Sequence, residues 1–370
     1  MRGPGEVRRP LLWRIAAVSL VLVVAVVAAV PATREGVARL WCGTVGVGCP
    51  ERFGLPGELP EGDGQRLRLS PVEAATWGNY VALGDSYSSG HGAGDYESGT
   101  GEPGRCWRSG NAYPHHVVGS YDFAGSLGFH ACSAQRGAEM LDNADSPDSQ
   151  LNRIGEHTSL VTLGIGGNDL GFTPVLETCM LRMPLTETEA CTDQQDEIDD
   201  RMETFRSTLE ELVAEVRDRA PNARLLVVGY PRMFPEQPEN RYYTLTVEDQ
   251  EWLNRSVERF NRQTREIVRE ADERIADRDQ VGSVEFVGQY ATFDGHEVDS
   301  DDAWLNGVML RDLTNGVDIN RSTFHPNAAG QEAFGERVNE QIVDGPERDV
   351  YAARETVDDA EPEVLAAEMD

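Results

Sequence analysis

Three short strings carry side chains that could share one reaction: Gly84-Asp85-Ser86-Tyr87-Ser88-Ser89-Gly90, Gly166-Gly167-Asn168-Asp169 and Phe324-His325-Pro326-Asn327. A serine hydroxyl attacks a carbonyl effectively only when a base takes its proton, and a neutral imidazole suits that task near pH 7. A carboxamide N–H can meet the oxyanion that then forms without adding charge to the site. Ser86, Asn168 and His325 therefore offer a nucleophile, an oxyanion donor and a general base. Each string also has an ordinary reading. Serine and glycine beside a strand are turn chemistry, Asn168 could make an Asx-turn, and a single histidine is most often a surface or core residue.

The surrounding pattern decides what could bring these residues together. Apolar runs at Tyr80–Leu83, Leu160–Ile165, Leu225–Val228 and Val284–Val287 suit strands buried on both faces, as parallel strands are. A further strand is expected near Tyr121–Ala124. Ile198, Met202, Phe205, Leu209, Leu212 and Val216 recur at spacings of three and four, and so do Leu253, Val257, Phe260, Thr264 and Ile267. Each set marks the apolar face of a helix; Thr246 with Asp249 resembles a capping pair ahead of the second, and a further helix is expected over 328–343. The alternation predicts an α/β fold. Ser86 and Asn168 then stand just past the carboxyl ends of the first two strong strands, the edge where open α/β sheets bind ligands.

Taken together and in this order, GDSYSSG, GIGGND and FHPN resemble the SGNH (GDSL) hydrolases, and within them the secreted actinobacterial esterase and lipase branch. The resemblance covers Asn79 to about Val343. It implies a flavodoxin-like three-layer α/β/α sandwich with a central parallel sheet. It also implies a serine ester hydrolase, an esterase or lipase acting through an acyl-enzyme on Ser86 with His325 as base, and an oxyanion hole made by the Ser86 and Ala134 N–H groups and the Asn168 amide. No metal or cofactor is implied. The chain departs from the family pattern twice. The glycine expected after Cys132-Ser133 is Ala134, with Gly137 as the fallback donor, and the aspartate expected three residues before the histidine is Ser322. His325 is then expected to be oriented by the Ser322 backbone carbonyl, or by Asp318 as a displaced carboxylate. The same site could serve a carbohydrate O-acetyl esterase or a phospholipase, and the two departures would also fit a surface binding protein that has lost catalysis. Ser88 stands where Gly-x-Ser-x-Gly has its last glycine, which argues against an α/β-hydrolase elbow.

Composition bears on the setting. The formal net charge is −31 at pH 7, which disfavours nucleic acid as a partner; the ester substrate is what the resemblance implies. Arg2, Arg8, Arg9 and Arg14 precede Ile15–Ala32, a run of 18 apolar or small residues. That run exceeds the ~7–15 residues of a cleaved signal core and approaches the roughly 20 that span a bilayer. An uncleaved signal-anchor is preferred over a signal peptide, with residues 1–14 cytoplasmic and everything after 32 outside. The rest reads as a linker over 33–78, a hydrolase domain over 79–344 and an acidic tail over 345–370 with no core of its own. Six cysteines follow the apolar run, and nearest-neighbour pairing gives Cys42–Cys49, Cys106–Cys132 and Cys179–Cys191, with zinc binding as the alternative. The resemblance implies the last two pairs as disulfides.

Overall fold

The computed structural model describes residues 65–180, 191–308, 310–311 and 318–369, with only the backbone described at 310–311 and 318–319. The apolar run Ile15–Ala32 and the Cys42–Cys49 pair lie outside the described residues. Among those that are described, no helix is long and apolar enough to cross a membrane.

The chain begins with β1 (Arg66–Leu69), α1 (Pro71–Thr76), β2 (Asn79–Gly84), α2 (Ser86–Ser89), α3 (Tyr113–Ser120) and β3 (Leu127–Phe129). It continues through α4 (Gly137–Asp142), β4 (Thr158–Gly164), α5 (Phe172–Met180), α6 (Gln195–Arg219), β5 (Arg224–Val228), α7 (Val247–Asp277) and β6 (Ser283–Val287). Two short strands, β7 (Leu310–Arg311) and β8 (Asp318–Ile319), lead to α8 (Ala328–Asp344), β9 (Val350–Ala353), α9 (Arg354–Asp358) and α10 (Pro362–Met369).

Five strands form one parallel sheet in the order β3-β2-β4-β5-β6, the flavodoxin-like arrangement. Every residue of β2, β4 and β5 is buried, because helices cover both faces. On one side α8 packs against α1 and α3; on the other α6 packs against α4 and α7. The stripes expected on α6 and α7 are the buried stripes. Thr246 and Asp249 form a complete capping box, Asp249 accepting the Thr246 N–H at 2.8 Å.

Three expectations need correction. Tyr121–Ala124 is not a strand; the edge strand is Leu127–Phe129, and Phe123 instead stacks on Tyr80 with ring centroids 5.6 Å apart. The linker expected over 33–78 has ended by Arg66, where β1 pairs antiparallel with β9 from the supposed tail. The tail itself is ordered because its few apolar residues are placed to be buried: Val350, Ala352 and Leu365 are each at most 2% exposed, while most of its acidic residues are exposed. Asn79 Nδ2 donates to the Leu365 carbonyl at 2.9 Å, and Glu368 accepts from His157 Nδ1 at 2.8 Å.

At the amino end of the sheet, opposite Ser86, the fully buried Arg224 holds four segments together. It donates twice to Glu285 of β6 (2.8 and 2.7 Å), and also to the Pro71, Ile342 and Gln341 carbonyls at the start of α1 and the end of α8. Removing one partner of such a pair strands a buried charge. Arg224→Met is expected to lower the unfolding free energy by about 3–5 kcal/mol, and Arg224→Met with Glu285→Leu to recover much of it. Urea denaturation of both variants checks this; a single-variant loss below about 1 kcal/mol would refute the clamp.

Candidate active site

Ser86 owes its position to the way β2 leaves the sheet. Gly84 has φ 136°, and a side chain there would place Cβ 2.3 Å from the Gly164 carbonyl oxygen. Gln150 grips this turn from the side: its Oε1 accepts the Gly84 N–H at 2.8 Å and its Nε2 donates to the Gly84 carbonyl at 3.0 Å. Asp85 caps the following turn by accepting the Tyr87 N–H at 3.0 Å. Ser86 is then the first residue of α2, where a backbone N–H has no partner within its own helix.

His325 arrives from the opposite end of the sequence. Its Nε2 lies 2.7 Å from Ser86 Oγ, and its Nδ1 lies 3.2 Å from the Thr323 carbonyl oxygen. A carbonyl only accepts, so Nδ1 carries the proton and Nε2 turns its lone pair to the serine hydroxyl. The orienting carbonyl belongs to Thr323, not to Ser322 as expected. The Ser322 carbonyl accepts the His325 backbone N–H at 3.1 Å, and this tight turn leaves the next carbonyl to meet the ring. The Ser322 hydroxyl donates to Asn320 Oδ1 at 3.0 Å. The Asp318 side chain lies outside the described residues. Tyr87 fixes the loop from below, donating to the Phe324 carbonyl at 2.7 Å, and Phe324 has φ 61°. Burial pushes the His325 imidazole down to about 4, against the pull of the Thr323 carbonyl, so the ring is a neutral base at pH 7.

Besides Ser86, the residues expected to meet an oxyanion, Ala134 and Asn168, lie on two neighbouring loops. Cys132 donates its N–H to the Gly84 carbonyl at 2.9 Å, and the Cys106–Cys132 disulfide anchors the same loop. Ala134 adopts φ 69°, the conformation for which the missing glycine would be suited. Gly137 drops out as the fallback donor, since its N–H is given to Asp169 Oδ2 at 2.9 Å. Asn168 reaches the same place from β4. One N–H of its amide donates to the Gln135 carbonyl at 3.0 Å, which leaves that amide a second donor for a substrate oxygen.

Beside Ser86 and His325 opens a cavity whose walls are mostly apolar. Leu170, Val175 and Met180 line it from α5 and the preceding turn, Ile198 from α6, and Trp252 and Phe260 from α7. The Cys179–Cys191 disulfide ties the end of α5 to the approach to α6. Glu177 and Arg321 are charged groups in the lining besides Asp85. Among the described residues no cluster of metal-binding side chains occurs.

The GDSL-like lipase/acylhydrolase family matches residues 82–333. Lipase 1 of Streptomyces coelicolor is 31% identical over 265 residues, spanning 70% of this chain and 85% of the relative. Among solved structures, phospholipase A1 from Streptomyces albidoflavus is 32% identical with a TM-score of 0.57, over 71% of this chain and 98% of that one. The extracellular lipase of Streptomyces rimosus is 30% identical with the same TM-score of 0.57, over 71% and 99%. The chain belongs to the GDSL-like lipase/acylhydrolase family. It is accordingly a carboxylic ester hydrolase with the three-layer α/β/α fold of that family.

Membership sharpens the two departures. A GDSL-like hydrolase with Ser322 in place of the expected aspartate has a backbone dipole behind its histidine, which fixes the tautomer but adds no full negative charge. Ala134 keeps the backbone geometry of the expected glycine at the expense of a left-handed residue bearing a Cβ. Sequence reasoning missed Thr323, because a backbone acceptor has no side-chain signature. It also missed Gln150, Asp169 and Tyr230, whose roles depend on contacts between distant loops. For an L-residue the left-handed conformation costs roughly 1–2 kcal/mol, and the added unfolded-chain freedom of glycine offsets about 0.4–1 kcal/mol of any relief. Ala134→Gly is therefore expected to raise the unfolding free energy by about 0.5–1 kcal/mol. Ala134→Val should lower both stability and turnover. A glycine variant less stable than the parent in thermal or urea unfolding would contradict a strained backbone at residue 134.

Proposed function

We propose that this hydrolase cleaves carboxylic esters whose acyl chain is apolar, with Ser86 as nucleophile and His325 as general base. The observation that carries the reading is the 2.7 Å contact between Ser86 Oγ and His325 Nε2 at the mouth of an apolar cavity. Ser86 Oγ bonds to the ester carbonyl carbon while its proton passes to His325 Nε2. The oxyanion is held by the N–H groups of Ser86 and Ala134 and by the Asn168 amide. Collapse of the tetrahedral adduct expels the alcohol, which takes the proton back from His325. Water then repeats the sequence on the acyl-enzyme, releasing the acid and the free serine.

The cavity suits an alkyl chain, because apolar surface gains free energy from burying methylene groups, on the order of 0.8 kcal/mol each. An acetyl group on a carbohydrate would leave most of that wall unused. A phospholipid ester is the second reading: Arg321 at the cavity offers a partner for a phosphate, and the albidoflavus relative is a phospholipase A1. Export is part of the proposal, supported by the two disulfides and by the basic cluster ahead of Ile15–Ala32. Retention by an uncleaved anchor and release after cleavage are its two forms.

A fluorophosphonate probe should label the enzyme at Ser86, and Ser86→Ala should abolish both labelling and hydrolysis without unfolding the protein. Residual activity above about a tenth of wild type would sink the assignment. Asn168→Ala is expected to lower kcat by roughly 10²–10³. Rates for p-nitrophenyl esters should rise from acetate towards longer chains, and a fall instead would contradict the acyl pocket. Fatty-acid release from phosphatidylcholine measures the second reading directly.

The pH dependence has a definite sign. Because burial favours the neutral imidazole, the base stays competent as the medium is acidified and is lost as pH falls through about 4. The acid limb of kcat/KM should therefore have its midpoint near 4, well below the ordinary histidine value of about 6.5. A midpoint between 6 and 7 would mean that the ring is solvated in the working enzyme.

A further inference from the structure

Tyr230 follows the end of β5 and takes no part in the chemistry proposed above, yet its hydroxyl stands between the two loops that perform it. It donates to Asp85 Oδ2 at 2.5 Å and accepts the Gly167 N–H at 3.0 Å. Asp85 immediately precedes Ser86, and Gly167 immediately precedes Asn168. The other oxygen of Asp85 is already engaged in capping α2 through Tyr87. Tyr230 is therefore a bridge of two hydrogen bonds between the residue before the nucleophile and the residue before the oxyanion amide.

The bridge is itself held firmly. Asn261 of α7 clasps the Tyr230 backbone on both sides, Oδ1 accepting its N–H at 2.9 Å and Nδ2 donating to its carbonyl at 2.7 Å. The ring packs edge-on against Tyr87, 5.1 Å between centroids, and against Phe260, 5.6 Å. Asp85 is 1% exposed and Tyr230 9%. Burial pushes the Asp85 carboxyl up to about 7, and the Tyr230 hydroxyl and Tyr87 N–H oppose that rise by hydrogen bonding to its charged form. A buried carboxyl of this kind is costly unless its oxygens are satisfied. Backbone turns shape the second loop internally, with the Leu170 N–H donating to the Gly166 carbonyl at 3.0 Å and the Phe172 N–H to the Gly167 carbonyl at 3.0 Å, while the two hydrogen bonds at Tyr230 link that loop to Asp85.

We infer that Tyr230 is a positioning residue of the esterase, whose hydroxyl sets the register between Ser86 and the Asn168 amide and so acts on the transition state through those two loops. The inference rests on the proposed roles of Ser86 and Asn168. It differs from a packing role, because the ring alone would satisfy packing while only the hydroxyl reaches both loops.

The test is a double-mutant cycle of Tyr230→Phe and Asn168→Ala, with kcat and KM measured on one p-nitrophenyl ester. Tyr230→Phe keeps the ring and should lower kcat ~10-fold or more, leaving KM within about twofold. In the Asn168→Ala background the same change should cost less than about twofold, because the donor that needs positioning is gone. Affinity for an alkylboronic acid, which forms a tetrahedral adduct, should fall in parallel with kcat. An unchanged kcat in Tyr230→Phe, or an equal loss in both backgrounds, overturns the inference. If Tyr230→Phe does not fold, Asp85→Ala, which removes both carboxyl oxygens and leaves the tyrosine in place, takes its position in the cycle. The same pattern of losses then supports the bridge, and the same two results overturn it. Fluorophosphonate labelling of the wild type separates the two levels. With Ser86 labelled, a flat cycle rejects the bridge alone; with Ser86 unlabelled and the ester uncleaved, the proposed chemistry falls and the bridge with it.

Discussion

The site depends first on how closely two parallel strands approach at their carboxyl ends. β2 and β4 end side by side with Gly84 opposite Gly164, and the Asp85 N–H donates across to the Gly164 carbonyl at 2.9 Å. A Cβ on either glycine would meet the facing carbonyl or Ser88 within 2.6 Å. This contact lets the chain leave β2 through a left-handed turn straight into α2, so that Ser86 emerges at the sheet edge instead of one turn further on. It also brings the loop after β4, with Asn168, alongside. The chain runs outward from β2 to β3 and then crosses back to β4, so the two loops part around the crevice where open α/β sheets bind ligands.

Given that juxtaposition, the electrostatics of the site are those of a dry edge. Among the described residues, the group that meets His325 Nδ1 is the Thr323 carbonyl and not a carboxylate. Desolvation therefore prevails and holds the ring neutral, which favours the role of base proposed for it and disfavours the imidazolium that role would require. In this arrangement the oxyanion donors and the orientation of the ring must supply what a carboxylate gives in a full triad. The number of backbone constraints on the histidine loop is consistent with that demand. Tyr87 holds the Phe324 carbonyl, and Asn306 bonds the loop at both Phe324 N and the His325 carbonyl.

Much of this was legible in the sequence, and the reasons differ by element. Apolar runs flanked by glycine located four of the five central strands, because a strand buried on both faces has little compositional freedom. β3 escaped because it is three residues long, with glycine at its centre. Helix stripes over 198–216 and 253–267 were read residue by residue, since burial repeats every three or four positions. β1, α1 and the β9 end of the tail were missed for a different reason. Their signals, Ser70-Pro71-Val72-Glu73 as a capping box and Val350/Ala352 as an alternating pair, were short and lay among charges that dominated the composition. At the site the strings singled out Ser86 and His325, which the structure brings within 2.7 Å of each other, and Asn168 on a neighbouring loop; their proposed roles rest on that placement. The Thr323 carbonyl and the Tyr230 hydroxyl could not be singled out, because the first is backbone and the second acts on loops far away in sequence.

Stability and chemistry are placed at opposite ends of the sheet. At the amino edge the Arg224–Glu285 pair is fully satisfied and rigid, joining α1, β5, β6 and α8 without any group left for a ligand. At the carboxyl edge the residues are held in conformations that are costly in isolation: left-handed Ala134 and Phe324, and a buried Asp85 carboxyl. Such strain persists only where the surroundings over-determine it. The Cys106–Cys132 disulfide, the Gln150 clasp on Gly84 and the Asn306 contacts each constrain one of these strained segments from outside it. A loop that carried its own conformational preference would not need them. Their concentration around Ser86 follows from asking short loops to hold three separate groups in one geometry, which a parallel sheet supplies at its edge but cannot enforce alone.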